Sequence, residues 1–241
     1  MRNLKRRVIP YHPSLARGAY AISEGLIQIQ WLGDTLGTLE GKTVLEIGSS
    51  WELLIPMLFS LCRAERVYLT DLTALLDKAT LAGSLESFCA NKKPILDTLR
   101  IDSHDFDSRF RGEINSEKEF LSRHRFTYLA PCDCRSLSLE SSSLDVVTSR
   151  SVLEHIPPPV IEGIFRESYR LLRPGGLVCH FVDNSDHWEH GDKSISRVNF
   201  LRYSDRIFRL GSLPLAPAFR RFSAEDLATT DSYLLARKPH S

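Results

Sequence analysis

The chain has 241 residues, 42% hydrophobic and 25% charged, with a formal net charge of +1. That length suits one large α/β domain and is short for two, while near-neutrality argues against a partner held by bulk charge, such as nucleic acid. No run approaches the roughly eighteen apolar residues of a membrane helix, so no membrane insertion is expected. Five scattered cysteines, at 62, 89, 132, 134 and 179, argue against a disulfide framework and for a reducing, cytoplasmic setting.

The N-terminus is locally basic (Arg2, Lys5, Arg6, Arg7, Arg17), but Pro10 and Pro13 interrupt it, and it reads as a solvated leader rather than a targeting peptide. Leu15, Ala19, Ile22, Leu26, Ile29, Leu32 and Leu36 stand at helical spacing, which predicts a leading helix or two. Residues 1–40 form this helical leader, packed on a core domain of 41–241. A first strand is expected over 43–48, then a crossover helix over 52–62 with Pro56 near its first turn. A second strand covers 66–70, and a helical stretch runs from about 73 to 90. Residues 91–125 are charged and poor in long apolar runs; they read as an insertion, a surface elaboration with one amphipathic helix near 114–123. Further strands are expected at 126–130 and 144–149. A helix over 159–172 is stopped by Arg173-Pro174-Gly175-Gly176, and a strand follows over 177–182. This alternation predicts an α/β fold, a Rossmann-like doubly wound and mostly parallel sheet with helices on both faces.

The chemistry concentrates at strand ends. Val44-Leu45-Glu46-Ile47-Gly48 is a strand running into a glycine turn, and Asp71 closes the next strand. Such a turn lets backbone approach a ligand, and such an aspartate can take two ribose hydroxyls, so a nucleoside-containing cofactor is expected. Asp133 follows the third strand, and Leu144-Asp145-Val146-Val147 runs into Ser151-Val152-Leu153-Glu154-His155-Ile156.

Together with Leu171-Leu172-Arg173-Pro174-Gly175-Gly176-Leu177, this ordered set resembles the class I S-adenosylmethionine-dependent methyltransferases over residues 41–182. The resemblance implies S-adenosyl-L-methionine as cofactor, and it implies roles. Glu46 would hold the ammonium, with Gly48, Ser49 and Ser50 in the turn beneath the methionine end. Asp71, beside Leu72, would take the ribose. Asp133, flanked by Cys132 and Cys134, would accept from the adenine amino group, and Ser149 and Arg150 would line the sulfonium end. The family loop reads acidic-x-Gly-x-Gly-x-Gly, whereas Ser50 and Glu52 stand at its second and third glycines here. Gly-x-Gly-x-x-Gly, the diphosphate signature of dinucleotide sites, is absent.

After the fifth strand, an acceptor-side segment at about 183–231 is rich in hydrogen-bonding groups. His187, His190 and His155 are the general-base candidates if an oxygen is methylated. Similar chains are associated with saccharide synthesis, which points to a small-molecule or saccharide-type acceptor. His187-x-x-His190 with its aspartates could hold a divalent ion, but acceptor-facing or solvated histidines are the simpler reading, and no metal is expected. Cys132 and Cys134 lack a second pair for a zinc site.

The resemblance implies seven strands, the last two an antiparallel hairpin; of that pair only the seventh is visible, at 232–237, and prolines occupy the stretch where the sixth should be. The final strand is therefore expected to pair with the fifth and remain an edge, or to be covered by another subunit as a homodimer. Two rival readings stay open. One is a catalytically inactive binding protein of the same fold; the other is a nucleotide-binding oxidoreductase.

Overall fold

The structure is a computed structural model and describes residues 15–49, 52–112, 114–186, 192, 194–197 and 231–240. Among the described residues one helix, α1 (Leu15–Leu36), precedes the sheet. Then come β1 (Thr43–Ile47), α2 (Leu54–Leu61), β2 (Arg66–Thr70), α3 (Lys78–Ala90), α4 (Lys92–Leu99), α5 (Ser103–Phe110), α6 (Glu117–Arg123) and β3 (Phe126–Tyr128). The chain continues through β4 (Leu144–Arg150), a 3-10 turn (Leu153–His155), α7 (Pro158–Leu171), β5 (Leu172–Asp183) and β6 (Asp231–Arg237).

The six strands lie in the order β3-β2-β1-β4-β5-β6. All neighbours are parallel except the last pair, in which β6 runs antiparallel to β5 along its length, Leu177 opposite Arg237 and Asp183 opposite Asp231. The expected pairing of the final strand with the fifth is therefore observed, and among the described residues β6 ends the sheet on that side. The stretch 207–220, where the sixth strand of the family was missed, lies outside the described residues.

Because side chains alternate along a strand, each strand feeds two cores. Val44, Val67, Leu69 and Val146 join α1, α2, α3 and the insertion on one face, while Leu45, Ile47 and Val147 pack with Ile164 and Leu171 of α7 on the other. Helices on both faces follow from that division. Pro56 falls within the first turn of α2, where its missing N–H is no loss. Two proline residues open α7, with Pro158 and Pro159 at the positions that need no donor.

Three local expectations are corrected. The helix after β2 begins at Lys78 rather than 73, capped by the Asp77 carboxylate, which accepts from the Thr80 amide at 2.7 Å. Before it, the Tyr128 hydroxyl takes the amides of Leu75 and Leu76, so those residues do not wind into helix. Next, the insertion holds three helices rather than one, and it is not surface decoration. Ile95, Phe106, Phe110 and Phe120 are buried in the main core, and Phe106 stacks on Phe88 at 5.6 Å. Each of these helices contributes only one or two anchors, too few to make a long apolar run. Third, Arg173-Pro174-Gly175-Gly176 does not separate helix from strand, because β5 starts at Leu172 and runs through a register shift opposite Leu144 and Val146.

The burial of Phe106 yields a test. Phe106→Ala should lower stability by about 3–5 kcal/mol in urea denaturation; a loss under about 1 kcal/mol would return α5 to a surface role.

Candidate functional site

Strand order reverses between β1 and β4, so their C-terminal ends open the crevice where α/β sheets bind ligands. The turn leaving β1 is fixed by its neighbour. Gly48 and Ser49 both donate their backbone N–H to the Thr70 carbonyl, at 2.8 and 3.0 Å, and the Thr70 hydroxyl donates to the Glu46 carbonyl at 2.7 Å. Gly48 has φ +85°, and a Cβ built there would sit 2.4 Å from Val152 Cγ2. Only glycine satisfies both the dihedral and the approach of the loop after β4.

Within this turn Glu46 is the outstanding group. Its side chain is buried, and its Oε2 has no hydrogen-bond partner among the described residues. Burial pushes its carboxyl up to about 7, against the opposing pull of the Ser49 hydroxyl and the Arg150 charge. A buried carboxylate with an open oxygen asks for a cation or a donor. Across from it, at the end of β2, Asp71 Oδ1 accepts from the Thr73 amide at 3.0 Å, and Leu72 is 76% exposed. Glu46, Gly48 and Asp71 thus come together at one crevice, and they fit an ammonium-bearing nucleoside.

The remaining candidates are placed less simply. Both oxygens of Asp133 are taken by Arg135, whose Nη2 lies 2.6 Å from Oδ2, and this pairing holds the carboxyl below its usual range. Cys134 Sγ donates to Thr70 Oγ1 at 3.2 Å and burial pushes its thiol up to about 12, so it is a packing group rather than a thiolate. Cys132, whose amide donates to the Asp71 carbonyl at 2.8 Å, ties the loop after β3 to the end of β2. Ser149 turns to the α7 face, where its hydroxyl meets His180 Nδ1 at 2.8 Å in the core. Arg150 turns the other way and donates from Nε to Glu24 Oε2 at 2.5 Å. His155 is the exposed last residue of the 3-10 turn after β4, its Nε2 3.8 Å from Glu154 Oε1. Ser50, His187 and His190 lie outside the described residues. Among the described residues no cluster of three His, Cys, Asp or Glu could hold a metal.

Reasoning from the sequence missed Glu24, Gln28, Thr70 and Val152. Glu24 and Gln28 stand one turn apart on α1, off the apolar stripe read from the sequence, so their burial left no signal in the spacing. Asp145, part of a recognised motif, instead caps the opposite end of the sheet, accepting from the Thr43 amide at 2.8 Å and Arg173 Nη1 at 2.9 Å.

Residues 45–180, more than half of the chain, match the family model described as "Methyltransferase domain". The chain belongs to this family, the class I S-adenosylmethionine-dependent methyltransferases its motifs resemble. No curated protein matches it. Among solved structures, phosphoethanolamine N-methyltransferase 1 of Haemonchus contortus, in complex with phosphoethanolamine and S-adenosylhomocysteine, is 15% identical, with a TM-score of 0.38, over 68% of this chain and 27% of its own. The 1,6-didemethyltoxoflavin-N1-methyltransferase of Burkholderia thailandensis, with 1,6-didemethyltoxoflavin and S-adenosylhomocysteine bound, is 17% identical over 68% of this chain and 54% of its own, with a TM-score of 0.41. The PH0226 protein of Pyrococcus horikoshii OT3 is 17% identical over 79% and 71%, with a TM-score of 0.42. The chain spans 56%, 27% and 58% of the length of three of the solved chains it matches.

Two tests follow from the turn. Gly48→Ala should cost about 1–3 kcal/mol of stability in thermal or urea unfolding, and adding Val152→Ala should recover the steric part while leaving the φ strain. For Glu46, a folded-state value above the unfolded one means the folded chain holds the proton more tightly. Its contribution is full below the unfolded carboxylate value and is lost as pH rises through about 7. Glu46→Gln, neutral throughout, should therefore gain on the order of 2 kcal/mol relative to wild type between pH 5 and pH 8, read from unfolding curves at both.

Proposed function

We propose that this chain transfers the methyl group of S-adenosyl-L-methionine to a small-molecule or saccharide-type acceptor, at oxygen. The observation that carries the reading is the buried Glu46 Oε2 beneath the Gly48 turn, without a partner among the described residues, with Asp71 at the neighbouring strand end. Glu46 would hold the ammonium, and Asp71 would accept from both ribose hydroxyls, a bidentate task suited to a carboxylate. Leu72 would cover the base or sugar. Asp133 would accept from the adenine amino group; its pairing with Arg135 is exposed, and exposed ion pairs contribute little, so the carboxylate can turn to another donor. The loop from Ser149 and Arg150 onward, together with Ser49, Ser50, Cys132 and Cys134, would line the rest of the cleft. The cofactor supplies an electrophilic methyl on sulfonium.

This chain's own part in turnover is positioning: the crevice aligns the acceptor atom and a base removes its proton. His155, His187 and His190 are the candidates for that base. The segment 183–231 would face the acceptor, and the helical leader would pack on the core domain 41–241. A cytoplasmic setting fits the five free thiols, and the β6 edge would serve a homodimer. No described helix is long and apolar enough to cross a membrane.

The commitment of Asp133 to Arg135 favours one second reading, a binding protein of the same fold that no longer turns over. Calorimetry separates the readings. S-adenosylhomocysteine should bind the wild type, and Asp71→Ala should weaken it roughly 10- to 100-fold, the worth of hydrogen bonds to a charged group. Binding without methylation of any acceptor would leave the second reading, and binding of NAD alone would overturn both.

A further inference from the structure

Strand β4 and helix α1 meet on the face of the sheet that carries Glu46. In the β1–β4 register Glu46 stands opposite Thr148, and Arg150 lies two residues further along β4, so its side chain leaves the same face. From α1, the fully buried Gln28 donates from Nε2 to Thr148 Oγ1 at 3.3 Å, the Ser149 carbonyl at 3.0 Å and the Cys179 carbonyl at 3.1 Å. One turn earlier on the helix, buried Glu24 receives the Arg150 guanidinium, which also lies 5.9 Å over the Tyr20 ring.

The groups facing Glu46 are therefore few. Its own loop brings the Ser49 hydroxyl, and β2 brings Thr70, which is not titratable. From β4 comes Arg150, the charge that bears on Glu46 among the described residues, and α1 brings Gln28 and Glu24 behind it. Tyr20 and Asp231 act on Glu24 rather than on Glu46. The row carries two carboxylates around one guanidinium. With Arg150 paired to Glu24, an ammonium beside Glu46 is the second positive charge that would let both acids ionise. A buried group of this kind stays ionised only if a partner charge is held close.

We propose that Glu24 and Arg150 are positioning residues of the cofactor site: the N-terminal helix uses a buried carboxylate to hold the guanidinium on the face of the sheet shared with Glu46, where its charge keeps Glu46 ready to accept the cofactor's ammonium. The proposal rests on the reading of Glu46 given above. It makes α1 part of the active architecture.

The test measures S-adenosylhomocysteine binding by calorimetry from pH 5.5 to 8.5, with 5′-methylthioadenosine, which lacks the amino-acid end, as the second ligand. Wild-type affinity for S-adenosylhomocysteine should fall as pH drops through a midpoint near that of Glu46. Arg150→Met should raise that midpoint by about one pH unit, a tenfold weaker binding on the acid side. Glu24→Gln keeps the hydrogen bond to Arg150 but removes a negative charge, so it should move the midpoint down, and Arg150→Lys should restore it. Methylthioadenosine should bind all four proteins alike at every pH, which also reports that they are folded. Shifts of the same sign in Arg150→Met and Glu24→Gln, no shift, an equal change for both ligands, or loss of methylthioadenosine binding would overturn the proposal. A wild-type response to S-adenosylhomocysteine that is flat with pH would instead remove the assignment of Glu46 beneath it.

Discussion

The Thr70 carbonyl is the acceptor on which the site depends. By taking the amides of both Gly48 and Ser49, it extends the β1–β2 pairing past the end of the strand and fixes the turn before any ligand arrives. The same residue holds the Glu46 carbonyl through its hydroxyl and receives Cys134 from the loop after β3. With the turn so held, Gly48 has no choice of dihedral, and Val152 closes over it from β4. The chemical consequence is selective. Two amides that a phosphate-binding turn would present to an anion are already spent, so this crevice offers a buried carboxylate where a dinucleotide site offers N–H donors.

The sheet's two faces differ in kind at this point. Toward α7, Ser149 and His180 pair within the core beside Phe165, and burial pushes the His180 imidazole down to about 4, so it stays neutral. Toward α1 the interior is charged, with Glu24, Arg150 and Glu46 along one face and Gln28 holding the ends of β4 and β5. Buried charges survive only where each has a partner, and here an N-terminal helix brings it. That helix is thus core in its apolar residues, Ile22, Leu26, Ile29 and Leu32, and site in its polar ones.

Legibility from sequence followed the range of the interactions. The strands β1, β2 and β4 were visible because alternation and short apolar runs are local, and the acids at 46, 71 and 133 were visible because they end those runs. Of the insertion helices α6 was visible, near 114–123, while α4 and α5 were not, since α5 is anchored by Phe106 and Phe110, whose partner Phe88 belongs to another helix. The run Arg173–Gly176 reads as a turn in sequence, yet pairing of β5 with β4 draws it into the strand.

The sequence by itself determined the order of strands and helices, the family and the glycine turn, because periodicity, capping and punctuation act within a few residues. Only the tertiary structure decided which strand-end residues share a crevice. It turned Ser149 into the core, committed Asp133 to Arg135, left Glu46 buried with an open oxygen, and set Arg150 against Glu24. Glu24 and Arg150, 126 positions apart, and Ser149 and His180, 31 apart, meet only across the sheet, and a low-dielectric interior requires each buried charge to find its partner. Neither condition leaves a mark in the spacing of one segment.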